Sequence, residues 1–486
     1  MFERFKDKKV VVVGLARSGV GAANLLVRLG SRVTVMDVKT YGELSQYIGK
    51  LDSSVDIKLG NFNGETLGNS DLIVVSPGVP LTIAELAQAK QMGKIIMGEL
   101  ELAYQVMEEF RKSTPLGFLA ITGTNGKSTT TTLLYEILRH SGLNTIIGGN
   151  IGLAITEEIS KLVKNFDKPR EFVSPDYIVT EVSSFQLESI DKFKPKVSVI
   201  LNITPDHLDR HVNMSEYIEA KCRIFMNQDE MNFIILNADE PSTSEIASRI
   251  KKKGPDILYF SRKKEVRGAF YRDGAIYFNI PELEVLCPEL VSQHSTVLNT
   301  SEFRIKGVHN IENAMAASLV ALVCGSNVSD IRDTLASFNG LEHRLEFVEE
   351  VDGVKYYNDS KGTNVWAVIK SLEGFDEPIV LIAGGRDKVG DFSDLRPLVK
   401  DKVKAAIVIG ESRYKLRETL KDVTAVYEED SLNEAVRKAR LIARPGEVVL
   451  FSPACASFDM FRDFEQRGIA FKECVSTLAY GGVGAV

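Results

Sequence analysis

Short apolar runs, unbroken rather than alternating, recur along this chain and are separated by longer stretches of helical periodicity. Lys9 to Val13, Arg32 to Asp37, Asp71 to Ser76, Gly117 to Ile121, Tyr177 to Glu181 and Val197 to Asn202 read as strands. In the last third Ile379 to Ala383, Ala405 to Ile409 and Glu447 to Phe451 continue the pattern, with helices predicted over Leu432 to Ala443 and Met460 to Tyr480. Strands apolar on both faces belong to sheets covered by helices on both sides, so the alternation predicts an α/β fold with mainly parallel sheets. One hairpin stands apart: the Asp273-Gly274 turn joins Ala269 to Arg272 with Ala275 to Phe278, a dipeptide suited to the left-handed dihedrals of a tight turn.

A chain of 486 residues is too long for one core and suggests about three domains at roughly 150 residues each. Breaks near Gly98 and Gly340 divide it into 1–98, 99–339 and 340–486. A formal charge of −7 gives no general attraction to nucleic acid or an anionic membrane, so any anion must be bound locally. The five cysteines are far apart with no C-x-x-C pair, which suggests neither a disulfide framework nor a zinc site and fits a reducing, cytoplasmic compartment. No apolar run approaches the ~18 residues that would span a bilayer.

The most specific chemistry lies in Ala120-Ile-Thr-Gly-Thr-Asn-Gly-Lys-Ser-Thr129, between an apolar run and a helix-forming segment, Thr130 to His140. Gly123 and Gly126 let the backbone of Thr124 and Asn125 turn its N–H groups inward. The helix start adds positive potential, and Lys127 and Ser128, with Thr129 behind them, can serve terminal phosphates and a Mg²⁺. Ile121 stands where the general phosphate-loop pattern has its first glycine. An ordinary Gly-rich turn is the plainer reading, weakened by Lys-Ser falling at the helix start.

Glu181 ends a buried strand, where ligands bind in open α/β sheets, and its carboxylate can ligate Mg²⁺ beside that loop or cap the next helix. Asn202-Ile-Thr-Pro-Asp-His-Leu-Asp-Arg-His211 gathers Asp206, His207, Asp209 and His211. Zinc would need further close ligands, so a hydrogen-bonded loop histidine is the plainer alternative. Tyr217 to Phe225 reads as one amphipathic helix on which Lys221 is a surface or snorkelling lysine. At the N-terminus, Val10-Val-Val-Val-Gly-Leu-Ala-Arg-Ser-Gly19 and Asp37 have a dinucleotide-fold layout without the G-x-G-x-x-G spacing, so only an anion or nucleotide site is supported there.

The variant loop Thr122-Gly-Thr-Asn-Gly-Lys-Ser-Thr129 resembles that of the Mur ligases, ATP-dependent amide-forming enzymes of peptidoglycan precursor synthesis. The resemblance extends through ordered motifs over nearly the whole chain. It implies a Rossmann-like nucleotide-sugar domain (1–98), a central phosphate-loop ATPase domain (99–339) and a Rossmann-like C-terminal α/β domain that takes the amino acid (340–486). It also implies ATP with two Mg²⁺ ions. Ser128, Glu181, His207 and Lys221 would be the metal ligands, Lys221 as a CO₂-derived carbamate. Asn313 would contact adenine, while Arg344 and Asp359 would serve phosphate and ribose. Leu15, Ala16, Asp37, Ser76 and Asn150 match positions that hold the uridine nucleotide sugar.

Ala383-Gly-Gly-Arg-Asp-Lys-Val-Gly-Asp-Phe392 and Ser452-Pro-Ala-Cys-Ala-Ser-Phe-Asp-Met-Phe-Arg-Asp-Phe-Glu-Gln-Arg-Gly468 are similar to the D-glutamate-adding branch. They imply Thr363, Lys388, Ser457 and Phe464 at the amino-acid site. The substrates implied are UDP-N-acetylmuramoyl-L-alanine and D-glutamate, handled by a monomer with no nucleic-acid or membrane partner. Catalytic weight falls on Lys127, Lys221, His207 and Arg344. The alternatives are another Mur ligase or a folylpolyglutamate synthase, a phosphate-loop ATPase switch, and an NAD-dependent dehydrogenase. Departures from the family pattern are the Asn279 to Thr300 insertion, Cys222 beside Lys221, and Ala16-Arg17 in the first glycine turn.

Overall fold

The structure, a computed structural model, describes residues 3–111, 116–166, 174–206, 210–250, 252–281, 298–305, 307–387 and 391–480. His207, Lys388 and most of the 279–300 insertion lie outside the described residues. The chain forms three sheets. The first has five parallel strands, β1 (Lys9–Val13), β2 (Arg32–Asp37), β3 (Asp56–Leu59), β4 (Leu72–Val75) and β5 (Ile95–Gly98), in the order β3-β2-β1-β4-β5. Four successive buried valines in β1 explain why it lies inside, with a neighbour on each edge and helices on both faces. The strand order reverses between β1 and β4, the kind of crevice where open α/β sheets bind ligands.

The second sheet comprises β6 (Gly117–Thr122), β7 (Thr145–Gly149), β8 (Tyr177–Glu181), β9 (Val197–Ile200), β10 (Phe233–Asn237), β11 (Asp256–Ser261), β12 (Gly268–Arg272), β13 (Ala275–Asn279) and β14 (Leu298–Asn299). Its order is β14-β13-β12-β11-β10-β9-β6-β8-β7. It is parallel except at β12-β13-β14. The expected hairpin is there: Arg272 faces Ala275, with Asp273 at φ 50° and Gly274 at φ 83°.

Both sheets lie in one compact unit, Met1–Ser301 with Glu312–Leu335. Helix Arg17–Arg28 packs closely on helix Ile155–Phe166, where a Cβ on Gly21 would stand 2.6 Å from Thr156 Oγ1. Glu99, at the junction of the two sheets, accepts from both Thr156 N and Thr156 Oγ1 at 2.8 Å.

The other unit, Glu302–Ile311 with Ala336–Val486, holds the third sheet: β15 (Glu346–Val351), β16 (Val354–Asn358), β17 (Ile379–Gly384), β18 (Val403–Ile409), β19 (Ala425–Glu428) and β20 (Val448–Phe451). Its order is β15-β16-β20-β17-β18-β19, parallel apart from β15-β16. Apolar clusters fill both faces of this sheet. The mixed α/β class with mostly parallel sheets is therefore as the sequence suggested. Among the described residues no helix is long and apolar enough to cross a membrane.

Two helices differ from their sequence patterns. The helix expected over Tyr217 to Phe225 begins earlier, at Met214, where Asn213 Oδ1 caps Glu216 N at 3.0 Å, and tightens to a 3₁₀ turn over Arg223–Phe225. The one expected from Met460 begins at Phe464, because Asp463 Oδ1 accepts from Gln466 N at 2.7 Å and so starts the helix there.

Candidate functional site

β6 delivers the chain from a buried strand into the loop 123–126, and the helix Lys127–His140 carries it away. Gly126 caps that helix at φ 82°, and a Cβ there would stand 2.4 Å from Asn313 Oδ1. Only glycine meets both demands cheaply. Lys127 curls back over the loop, its Nζ donating to the carbonyls of Gly123 at 2.9 Å and Thr124 at 2.8 Å. Ser128 and Thr129 are buried in the first turn. Asn313 is also buried, its Oδ1 accepting from Thr130 Oγ1 at 3.1 Å, which puts it against the loop from below.

Three residues that sequence reasoning did not single out shape this loop. Asn202 clamps Asn125 from both sides: Asn125 N donates to Asn202 Oδ1 at 2.8 Å, and Asn202 Nδ2 donates to Asn125 O at 3.1 Å. Thr204 N donates to Thr124 Oγ1 at 3.0 Å, and that hydroxyl donates to Thr204 O at 3.1 Å. Tyr217 OH lies 3.3 Å from the same Thr124 oxygen. The available signal was position alone, since Asn202 ends the strand run next to β6.

Glu181 ends β8 directly opposite Ile121 and is 2% exposed. Its Oε1 accepts from Asn150 Nδ2 at 2.8 Å, whereas its buried Oε2 has no hydrogen-bond partner. A carboxyl oxygen buried without a partner is costly, and a divalent cation beside a bound phosphate would satisfy it, so the residues here fit Mg²⁺. Among the described residues no three His, Cys, Asp or Glu side chains gather closely enough to hold a metal ion. A cation would thus depend on mixed ligands such as Glu181, Ser128 and phosphate oxygens.

Lys221 is not a surface lysine. It is 1% exposed, its Nζ donates to Gly123 O at 2.9 Å, and the same nitrogen sits 4.5 Å from the centroid of the Tyr217 ring. Burial, and then the charge of nearby Lys127, hold its pKa well below the usual lysine range. His211 packs beside this group, stacked on Phe185 and 3.0 Å from Ser184 Oγ, with its pKa lowered by burial.

At the N-terminal crevice Leu15, Asp37 and Ser76 converge on the turn after β1. Leu15 N donates to Asp37 Oδ2 at 2.7 Å, and Ser76 Oγ donates to Gly14 O at 2.8 Å. Leu15 is buried, and Ala16 is the N-cap position of the first helix. Asp37 is thus engaged with the backbone of its own crevice.

In the other unit Arg344 lies between two residues of positive φ, His343 at 63° and Leu345 at 45°, and its buried Nε has no hydrogen-bond partner. Asp359 is 3% exposed and internally engaged: Oδ2 accepts from Ser371 Oγ at 2.7 Å and Ser452 Oγ at 2.6 Å, and Oδ1 from Leu345 N at 3.3 Å. Burial raises its pKa against the lowering effect of those hydroxyls. Thr363 and Phe464 are half-buried and Ser457 is buried. The segments bearing them are joined by Ala454 N to Gly362 O at 2.9 Å and Ser360 Oγ to Phe464 O at 2.8 Å.

A phosphate loop on a parallel sheet, an unsatisfied carboxylate and a buried lysine in the same unit, and a further α/β sheet define an ATP-using enzyme class that can be compared with known proteins. The family model described as "Mur ligase middle domain" matches residues 121–321, that for the "Mur ligase MurD-like, N-terminal domain" residues 8–98, and that for the "Mur ligase, glutamate ligase domain" residues 343–455. The chain belongs to the Mur ligase family.

Within it, the chain is 44% identical to the UDP-N-acetylmuramoylalanine--D-glutamate ligase of Geotalea daltonii, covering 98% of this chain and 99% of that one. It is 42% identical to the enzyme of the same name from Pelotomaculum thermopropionicum, covering 99% and 100%. Among solved structures, the UDP-N-acetylmuramate-alanine ligase of Thermotoga maritima superposes with a TM-score of 0.59 at 19% identity, covering 97% of this chain and 99% of that one. The MurF ligase of the same organism, in complex with ADP, gives 0.57 at 14% identity over 98% and 100%. These two likenesses concern the fold.

Proposed function

We propose that this protein is an ATP-dependent ligase that joins D-glutamate to UDP-N-acetylmuramoyl-L-alanine, a step of peptidoglycan precursor synthesis. The observation that carries the chemistry is the convergence of Lys127 and Lys221 on the carbonyl of Gly123, with Glu181 on the adjacent strand. Near-full-length identity to enzymes of that name favours D-glutamate as the amino acid.

A carboxylate is a poor acylating agent because oxide is a poor leaving group. The carboxylate oxygen of the alanyl substrate attacks the γ-phosphorus of ATP, the bond to the β-bridging oxygen breaks, and ADP departs. The amine of D-glutamate then attacks the acyl carbon, inorganic phosphate leaves with the bonding pair, and the amine's proton passes to solvent. Lys127, the loop N–H groups and the helix start bind and orient the phosphates. Glu181 and Ser128 would hold Mg²⁺, which when bound offsets phosphate charge. His207 is proposed as a further ligand.

Lys221 suits a carbamate. Its depressed basicity favours the neutral amine that CO₂ requires, and the product would place anionic oxygen where the nitrogen now meets the Gly123 carbonyl and the Tyr217 ring. Gly123, Thr124, Asn125, Gly126 and Thr129 complete the ATP cradle, with Asn313 at the adenine, Arg344 at the γ-phosphate and Asp359 near the ribose. Leu15, Ala16, Asp37, Ser76 and Asn150 receive the nucleotide sugar. Thr363, Lys388, Ser457 and Phe464 receive D-glutamate. Residues 1–98, 99–339 and 340–486 divide these three tasks in a cytoplasmic monomer.

The test is ADP release with ATP and UDP-N-acetylmuramoyl-L-alanine against a panel of D-glutamate, L-glutamate, L-alanine and diaminopimelate. Release should depend on D-glutamate and match product one for one. Equal release with no amino acid, or with L-glutamate, would overturn the assignment.

A further inference from the structure

Arg467 is 1% exposed, among the largest fully buried side chains of the protein, yet every acceptor it finds is neutral. Its Nε donates to Ser360 Oγ at 3.1 Å, Nη2 to Ser360 O at 2.8 Å, and Nη1 and Nη2 both to Cys455 O at 3.1 Å. The guanidinium carbon lies 5.8 Å from the centroid of the Phe451 ring. Among the described residues it makes no ion pair. Burial lowers its pKa to about 10, so the group remains a cation at neutral pH. A buried, unpaired charge is expensive, and a merely structural link could be made without one.

What the guanidinium joins is informative. Ser360 lies three residues before Thr363, and Cys455 two residues before Ser457. Ser360 Oγ, which accepts from Arg467, donates onward to Phe464 O at 2.8 Å. The segments around Thr363 and Ser457, and through Ser360 the Phe464 carbonyl one turn before Arg467 on its own helix, are thus pinned to one planar fork. The packing leaves little slack. A Cβ on Gly385 would stand 3.1 Å from Arg467 Nη1 and 2.4 Å from Ala456 O, and Arg386 and Ala456 exchange backbone hydrogen bonds at 2.9 and 3.0 Å.

We infer that Arg467 is a positioning residue for the incoming amino acid, fixing through Ser360 and Cys455 the segments that present Thr363, Ser457 and Phe464. The inference rests on the ligase reading but adds a fully buried residue that would act only through the segments it holds. An ammonium cannot reproduce a fork spanning two carbonyls and a hydroxyl. Arg467→Lys should therefore raise KM for D-glutamate about tenfold or more, with KM for ATP and for the nucleotide sugar within about twofold of wild type.

Ser360→Ala keeps the guanidinium–carbonyl bonds and removes the hydroxyl that joins Arg467 Nε to Phe464 O. It should raise the same KM about threefold to tenfold in a protein that still folds with a lowered Tm, while KM for ATP and for the nucleotide sugar stays within about twofold. Should Arg467→Lys fail to fold, Ser360→Ala decides alone. Parallel rises in all three KM values, or a D-glutamate KM unmoved in Ser360→Ala, would overturn the inference. If the wild-type protein proves to use another amino acid, the ligase assignment fails at that point, and the KM for the amino acid actually used becomes the one that must move.

Discussion

Asn202→Ala isolates the contribution of a residue that opens the Asn202 to His211 motif yet was given no role by the sequence. Its side chain makes two hydrogen bonds with the backbone of Asn125, at 2.8 and 3.1 Å, while its own carbonyl holds Thr124 N at 3.0 Å. The substitution removes the first two bonds and keeps the third. At about 0.5–1.5 kcal/mol net per bond, the loop loses roughly 1–3 kcal/mol of preorganisation. Asn202 is half-buried, so water can reach the freed groups and the full cost of a buried unpaired group does not apply. If ATP binding must reorder the loop, that energy appears in KM for ATP, at tenfold per ~1.4 kcal/mol, giving a rise of about 5- to 150-fold. The assay is steady-state ADP release with ATP varied at saturating nucleotide sugar and D-glutamate, repeated with D-glutamate varied. KM for D-glutamate should stay within about twofold. A KM for ATP within twofold of wild type in a protein of unchanged Tm would refute the idea that Asn202 preorganises the phosphate loop.

Three more expectations follow from the geometry. Gly126→Ala should weaken ATP binding at least about tenfold, since φ is 82° and the new Cβ would stand 2.4 Å from Asn313 Oδ1, whereas Gly142→Ala, at φ 78° with open space around it, should cost only the left-handed strain of about 1–2 kcal/mol in stability; equal ATP affinity in the two variants would contradict this. Lys221→Ala should abolish ligation without rescue by bicarbonate and should remove a carbamate signal in ¹³C NMR of protein equilibrated with ¹³C-bicarbonate; substantial residual activity would mark the lysine as merely structural. Burial lowers the folded-state pKa of His343, so below the unfolded value of about 6.5 the unfolded chain binds more protons and stability is lost as pH falls. Relative to His343→Gln, wild-type Tm should be level above about pH 7 and decline as pH drops through 6, and parallel curves would count against it.

Much of this protein could be read from local pattern. β1, β2 and β8 begin and end where their apolar runs do, because a strand covered on both faces is mostly apolar along its whole length. The Asp273-Gly274 hairpin was legible because its dihedrals are a property of two residues. β3 and β5 were not named, since neither Asp-Ile-Lys-Leu nor Ile-Ile-Met-Gly is more than partly buried and each lies at a sheet edge.

The phosphate loop announced itself because all of its chemistry lies within ten residues. Its supports did not, because Asn202, Thr204 and Tyr217 reach it across 77, 80 and 93 positions. Lys221 looked like a surface lysine because amphipathic spacing says which face turns inward, and not that the cavity it faces holds a carbonyl and a phenol ring. Asp359 shows the same limit of local pattern. The resemblance implied ribose, and nothing in the motif announced the two serine hydroxyls and the backbone N–H that also bond the carboxylate, which meet it only once β20 lies beside β16.

The central claim is that the γ-phosphate passes to the substrate's own carboxylate before the amine arrives. Its most direct test is UDP-N-acetylmuramoyl-L-alanine labelled with ¹⁸O in the alanyl carboxylate, turned over with ATP and D-glutamate, with the released inorganic phosphate analysed by mass. One ¹⁸O atom should appear in each phosphate, carried from carboxylate to phosphorus by the acyl phosphate. Unlabelled phosphate released alongside product would contradict the account.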